Sequence, residues 1–174
     1  MIEALRDPLW QFVGAVLAVL ALVATFVVYA LQRQRKGVSF EVLSRTNLLT
    51  VREELEGKLE VLYEGHAVRS LSVLVIKVWN SGNQPIKSDE YERPISFCVG
   101  QSAHILTADI TAAEPSGLLA SARSSTNTVT IDPTLLNPGD SVTIKLLVRD
   151  LEGQLRPDAR IVVVKEVQRA TSKS

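Results

Sequence analysis

The sequence predicts a mainly β protein: an antiparallel β-sandwich that follows a single N-terminal transmembrane helix. Two observations carry this. Residues 9–31 form a run of about 23 residues without a charge, which at about 1.5 Å per residue reaches roughly 34 Å, enough to cross a ~30 Å hydrocarbon core. After Gly37 the pattern changes to short β-type runs divided by turn residues, and no long helical period returns.

Each segment has its own signals. Residues 1–8 are a short flank ending in Pro8, which suits a first helical turn. Trp10 and Tyr29 stand near the ends of the apolar run, where amphipathic rings favour the membrane interface. Val28-Tyr29-Ala30 is a passable signal-peptide cleavage pattern, but the run is longer than a signal core and its leading flank is not distinctly basic, which favours an uncleaved anchor. Residues 32–36 are a basic flank: Arg33, Arg35 and Lys36 stand against Arg6 alone on the N-terminal side. The positive-inside rule then places the N-terminus outside and the following domain in the cytoplasm, with the opposite orientation, domain on the outer side, as the alternative. Gly14, Ala18, Ala21 and Thr25 recur at steps of four, three and four, so they share one stripe that suits close helix packing in a membrane. That stripe points to a homo-oligomer or a partner's helix.

Residues 37–167 read as the sandwich domain. Strands are expected at 38–43, 58–63, 71–79, 94–99, 103–110, 128–131, 141–148 and 160–165. The run 71–79 is apolar on both faces, as in a central strand covered on each side. Thr50-Val51-Arg52-Glu53 has capping-box spacing, predicting a helical turn over 50–56 that ends at Gly57. Asn80-Ser81-Gly82-Asn83-Gln84-Pro85 reads as a tight turn of residues that tolerate left-handed dihedrals, and Asn137-Pro138-Gly139-Asp140 as another. Residues 115–127 read as a mobile loop and 168–174 as a disordered tail.

Two of these stretches carry a resemblance. Val78-Trp79-Asn80-Ser81-Gly82-Asn83-Gln84-Pro85-Ile86 resembles a turn common in immunoglobulin-like bacterial sandwiches. Leu135-Leu136-Asn137-Pro138-Gly139-Asp140-Ser141-Val142-Thr143-Ile144 resembles the Pro-Gly-acid element that precedes a strand in the same folds. With Asp89-Glu90-Tyr91-Glu92-Arg93-Pro94-Ile95 and Arg160-Ile161-Val162, the chain resembles an uncharacterised bacterial family of single-span membrane proteins with an immunoglobulin-like β-sandwich domain. The closing pair departs from that pattern, because Val162 and Val163 stand where small residues follow in the family. The resemblance implies an antiparallel immunoglobulin-like β-sandwich at the bacterial inner (plasma) membrane; it carries no activity.

Composition narrows the function classes. Lys plus Arg and Asp plus Glu number 19 each. Setting aside Arg6, Arg33, Arg35, Lys36, Glu3 and Asp7 leaves 15 basic and 17 acidic residues in the domain and tail, without the basic excess of a nucleic-acid binder. The single cysteine, Cys98, allows no intramolecular disulfide. Cys98 with His66 or His104 is a nominal thiol-and-base set, but no spaced acid orients either histidine, so a packed thiol is the better account. Two distant histidines and one cysteine give no zinc spacing, and Asp89, Glu90 and Glu92 are too few for a calcium loop. No cofactor is expected, and the chain does not read as an enzyme. The most distinctive surface is the acidic-aromatic loop 88–93, in which Tyr91, Glu92 and Arg93 are candidate partner- or ligand-binding residues; the competing account is an intramolecular lock, with Arg93 paired to a nearby acid and Tyr91 tucked against a sheet. The expected partners are the lipid bilayer and a protein partner or second copy met through the helix. The leading function is an anchored binding module; the alternative is a ligand sensor whose helices regroup in the membrane.

Overall fold

A computed structural model describes residues 8–32, 34–50, 62–63, 66–151, 153–162, 164 and 167–170. The chain divides into two units, Met1–Gln34 and Arg35–Ser174. The first holds α1, Pro8–Gln32, whose span Trp10–Tyr29 is long and apolar enough to cross a membrane and exposes its side chains throughout. A helix apolar on every face has no polar side to offer water.

Among the described residues of the second unit eleven strands follow in chain order: β1 Val38–Thr50, β2 Leu62–Tyr63, β3 His66–Ala67, β4 Ser70–Asn80, β5 Tyr91–Cys98, β6 His104–Glu114, β7 Ala122–Ser124, β8 Thr128–Ile131, β9 Ser141–Arg149, β10 Arg156–Ile161 and β11 Gln168–Arg169. One sheet has the order β11-β1-β4-β9-β6 and the other β10-β5-β8-β7; β2 and β3 form a hairpin. The two large sheets share one core. Phe40, Leu74, Ile76, Val78, Val142, Ile144 and Leu146 come from the first, and Ile95, Phe97, Val129 and Ile131 from the second. Phe40 and Phe97 meet across it with ring centroids 5.3 Å apart. Alternation puts these side chains inward, so the same period that marked the strands also builds the sandwich.

Several expectations change. β4 is central in its sheet, but only its inner positions Ser72, Leu74, Ile76, Val78 and Asn80 are buried; Val73, Val75 and Trp79 on the outer face are half-exposed. β1 runs on to Thr50 through two register shifts against β4, so Thr50 ends a strand rather than opening a helical turn. Residues 51–61, which hold the rest of that turn and most of the expected strand 58–63, lie outside the described residues. β5 begins at Tyr91, so Tyr91, Glu92 and Arg93 stand on a strand; only Ser88–Glu90 forms a 3-10 turn before it. The expected loop 115–127 contains β7. The last long strand lies at Arg156–Ile161 instead of 160–165, because its partner β5 fixes the register Arg156↔Cys98 and Asp158↔Ser96. β10 is an edge strand, and its charges and Pro157 hide it from a search for apolar runs. Gln168 and Arg169, expected in the disordered tail, pair with Ser39 and Phe40 in the parallel sense, the one departure from antiparallel pairing among the described residues.

Candidate functional site

The two turns that the sequence singled out meet in space. Asn80, the last residue of β4, is 1% exposed and is the centre of the meeting. Its amide nitrogen donates to the carbonyls of Gln84 (2.8 Å) and Leu136 (2.9 Å), and its side-chain oxygen accepts from the Gly82 N–H (2.9 Å). Its backbone N–H donates to the Asp140 carbonyl at 3.1 Å, and its carbonyl accepts from the Gly139 N–H at 3.0 Å. Ile86 and Leu136 then exchange two backbone bonds of 2.9 Å. A buried amide is tolerated because its groups are all paired; a stranded one costs about 1–3 kcal/mol. Gly139, in the expected turn, has the left-handed φ of +86°, and Asp140 caps the turn by accepting from the Asn137 N–H at 2.8 Å.

This node grips the chain where it joins the domain. The Asn83 N–H donates to the Arg35 carbonyl (2.8 Å), and the Arg35 N–H donates to Asn83 Oδ1 (2.6 Å). The Ser81 N–H donates to the Gly37 carbonyl (2.9 Å), and the Ser39 hydroxyl donates to Ser81 Oγ (2.8 Å). Gly82 makes this approach possible. A Cβ there would lie 2.3 Å from the Arg35 carbonyl oxygen, 2.7 Å from the Gly37 nitrogen and 2.9 Å from the Lys36 Cα, all backbone atoms. Gly82 does not adopt a left-handed dihedral, so its place in the turn comes from space and not from φ.

Lys36 completes the clamp through an ion pair with Glu90, in which both side chains are about four-fifths covered. Glu90 also accepts from the Lys87 N–H at 3.0 Å. The Lys36 ammonium, and after it this backbone bond, hold the Glu90 carboxyl below the usual carboxylate range. Two of the three expected topology residues are therefore part of the domain: Arg35 by its backbone and Lys36 by its charge. Arg33 lies outside the described residues.

The three candidate binding residues are each held within the chain. The Tyr91 hydroxyl donates to the Thr134 carbonyl at 3.1 Å, and burial, with the Glu90 charge behind it, pushes the phenol up to about 12. Arg93 pairs with Asp158 at 2.9 Å, and Glu92 with Arg160 at 2.6 Å, so two exposed cross-strand ion pairs lie side by side between β5 and β10. In the helix, the Thr25 hydroxyl donates to the Ala21 carbonyl at 2.8 Å, an i−4 bond that spends its polarity locally; a Cβ on Gly14 would meet nothing within 4 Å. Gly14, Ala18, Ala21 and Thr25 are all exposed.

Cys98 is half-buried at the end of β5, and His104 opens β6 in the other sheet. The His66 side chain is outside the described residues. Among the described residues no group of three His, Cys, Asp or Glu side chains is placed to hold a metal. An open groove beside Cys98, lined by Gln101, Ser102, Gln154 and Arg156, carries no aromatic side chain in its walls.

Sequence reading missed Asn80, Gly82 and Glu90 as a unit. The Asn-x-Gly spacing was the available signal for Asn80 and Gly82. Nothing local marks Glu90 as the partner of a cation 54 residues earlier.

No protein-family model matches the chain, and no curated protein matches it either. Among solved structures, one described as "the unique CBM3-" of Hungateiclostridium clariflavum is similar over 79% of this chain and 100% of its own, at 10% identity and a TM-score of 0.37. At that level the likeness implies nothing about what this chain binds.

Proposed function

We propose that this protein is a membrane-anchored binding module: α1 stays in the bilayer as a single-pass anchor, and an immunoglobulin-like sandwich is presented at the cytoplasmic face to engage a protein partner. The supporting observation is the clamp. A domain on a loose tether needs no contact with its linker, yet here residues 35–37 are fixed by three hydrogen bonds, and Lys36 by an ion pair. Anchoring confines a domain to a surface and raises its effective concentration for partners there. The partner-facing surface is the β5–β10 edge with Glu92, Arg93, Asp158 and Arg160. Their ion pairs are more than half exposed, so they add little to stability and their charges are open to exchange with a partner's. The reading assigns no catalysis to the domain.

The test is affinity purification of the full-length protein in mild detergent, beside the double variant Glu92→Lys, Arg93→Glu. A stoichiometric protein that co-purifies with the parent chain and not with the variant is the expected result. Retention of the same partner by the variant removes this surface. Digestion of the domain by protease added outside intact spheroplasts overturns the cytoplasmic orientation.

A further inference from the structure

The loops at the end of the sandwich where Arg35 joins it are unusual in what they expose. Leu119 is 91% exposed, the highest value for a large apolar side chain among the described residues. Leu135 (47%) and Val162 (46%) stand out from neighbouring loops. Hydrogen bonds place all three at this end. The Thr134 hydroxyl donates to the Leu119 carbonyl at 3.1 Å, and Thr134 in turn accepts from Tyr91. Leu136 is bonded to Ile86 and Asn80, and the Val162 N–H donates to the Glu90 carbonyl at 2.9 Å. Asn80 and Glu90 are the residues around which residues 35–37 dock.

Leu119 is held out by its backbone. The Leu118 N–H bonds the Pro115 carbonyl (2.9 Å), the Ala120 N–H bonds the Leu118 carbonyl (3.1 Å), and the Asp132 N–H bonds the Ser121 carbonyl (2.9 Å). The stretches 115–122 and 133–139 contain no charged residue. Asp132, beside them, is engaged by Ser121 at 2.7 Å and by Arg123, which together hold its carboxyl below the usual range. The other exposed large apolar residues of the domain lie elsewhere: Leu43 and Leu48 on β1 and Leu62 on the β2–β3 hairpin. At the opposite end, Leu48 near the close of β1 and Leu62 on the β2–β3 hairpin are exposed, while the described residues of 99–103, 125–127 and 150–155 expose no large apolar side chain.

We infer that the loop 115–121 is a second membrane contact, with Leu119 inserted among lipid headgroups and upper acyl chains and Leu135 and Val162 resting at the same surface. The inference rests on the anchored reading above. Only Arg33 and Gln34 separate α1 from the docked segment, and so short a stretch spans about 10 Å at most. On that reading the chain enters the domain at Arg35 soon after it leaves the bilayer, and the uncharged, leucine-bearing loops at this end of the sandwich fit a lipid surface as apolar interfacial contacts do.

The experiment uses the full chain in phosphatidylcholine vesicles, in a Cys98→Ala background. An environment-sensitive fluorophore is placed on Leu119→Cys, on Gln101→Cys at the opposite end, and on Ala18→Cys within the apolar helix. Leu119 and Gln101 are exposed, so labelling there leaves the core untouched. The expected result is blue-shifted emission at positions 119 and 18, with most of it lost when nitroxide-bearing lipid is included, and neither effect at 101. If position 18 is quenched and 119 behaves like 101, the loop inference fails and the anchor stands. A label at 119 that is blue-shifted but insensitive to nitroxide lipid reports burial against protein, such as a second copy, and also overturns it. Absence of quenching at position 18 overturns the anchored reading and the loop contact together.

Discussion

Replacing Gly82 with alanine tests the clamp directly. The added methyl would overlap the Arg35 carbonyl oxygen at 2.3 Å, and the three atoms nearest to it are all backbone, so no side-chain rotation relieves the clash. Against this, Gly→Ala at a residue with an ordinary dihedral gains about 0.4–1 kcal/mol by restricting the unfolded chain. Overpacking of this kind costs about 1–3 kcal/mol and dominates. The cheapest escape is local. Residues 35–37 lift away from the 81–83 turn, hinging before Val38, and give up hydrogen bonds worth about 1 kcal/mol each. A shift of about 1–3 kcal/mol raises the open population by about 5- to 150-fold, since each 1.4 kcal/mol is a factor of ten. Tryptic cleavage after Lys36 reads that population, because cleavage waits on opening. The assay follows the fragment beginning at Gly37 by mass spectrometry, in the detergent-solubilised full-length chain, with thermal unfolding measured in parallel. Gly117→Ala is the control, because a Cβ there meets nothing within 4 Å. Release of the Gly37 fragment should accelerate in Gly82→Ala, remain unchanged in Gly117→Ala, and be accompanied by a much smaller change in the unfolding of the β core. Equal release from Gly82→Ala and the parent, with unchanged unfolding, would refute the clamp.

Two further outcomes follow from titrating groups at the same end. Because the folded Glu90 pKa lies below its ordinary 4.5, its contribution is complete above that pH and is lost as pH falls through the depressed folded value. Thermal unfolding should therefore separate the parent from Glu90→Gln at neutral pH and bring them together in acid; a gap constant with pH sinks the assignment. Tyr91 behaves in the opposite sense. Its pKa is raised from 10.0 to about 12, so its contribution is present below pH 10 and is lost as pH rises toward 12. Tyr91→Phe should be less stable by about 1 kcal/mol at neutral pH and should lose this alkaline slope. An alkaline slope identical in both chains would show that Tyr91 is not the group responsible.

The sequence alone determined the features that depend on neighbours along the chain. The uncharged run 9–31 gave α1 to within a residue at each end, because hydropathy over such a length leaves few other structures. The strands β4, β8 and β9 were legible from alternation or continuous apolar character, and Gly139 from the Pro-Gly-Asp turn. Strands without an apolar signature were not legible. β10 is polar because it lies at an edge, β7 and β11 exist only as partners of longer strands, and Tyr91, Glu92 and Arg93 look like loop residues until β10 pairs with them. The tertiary structure also decided what Gly82, Glu90 and Lys36 are for. Glycine in a turn signals dihedral freedom locally, whereas this one is required by the passage of a backbone 45 positions or more away in sequence. An ion pair such as Lys36–Glu90 has no periodicity to betray it; it exists because two sheets, closing over Phe40 and Phe97, bring the start of the domain against the turn before β5. Short-range chemistry wrote the elements, and the closure of the core chose which distant residues would touch.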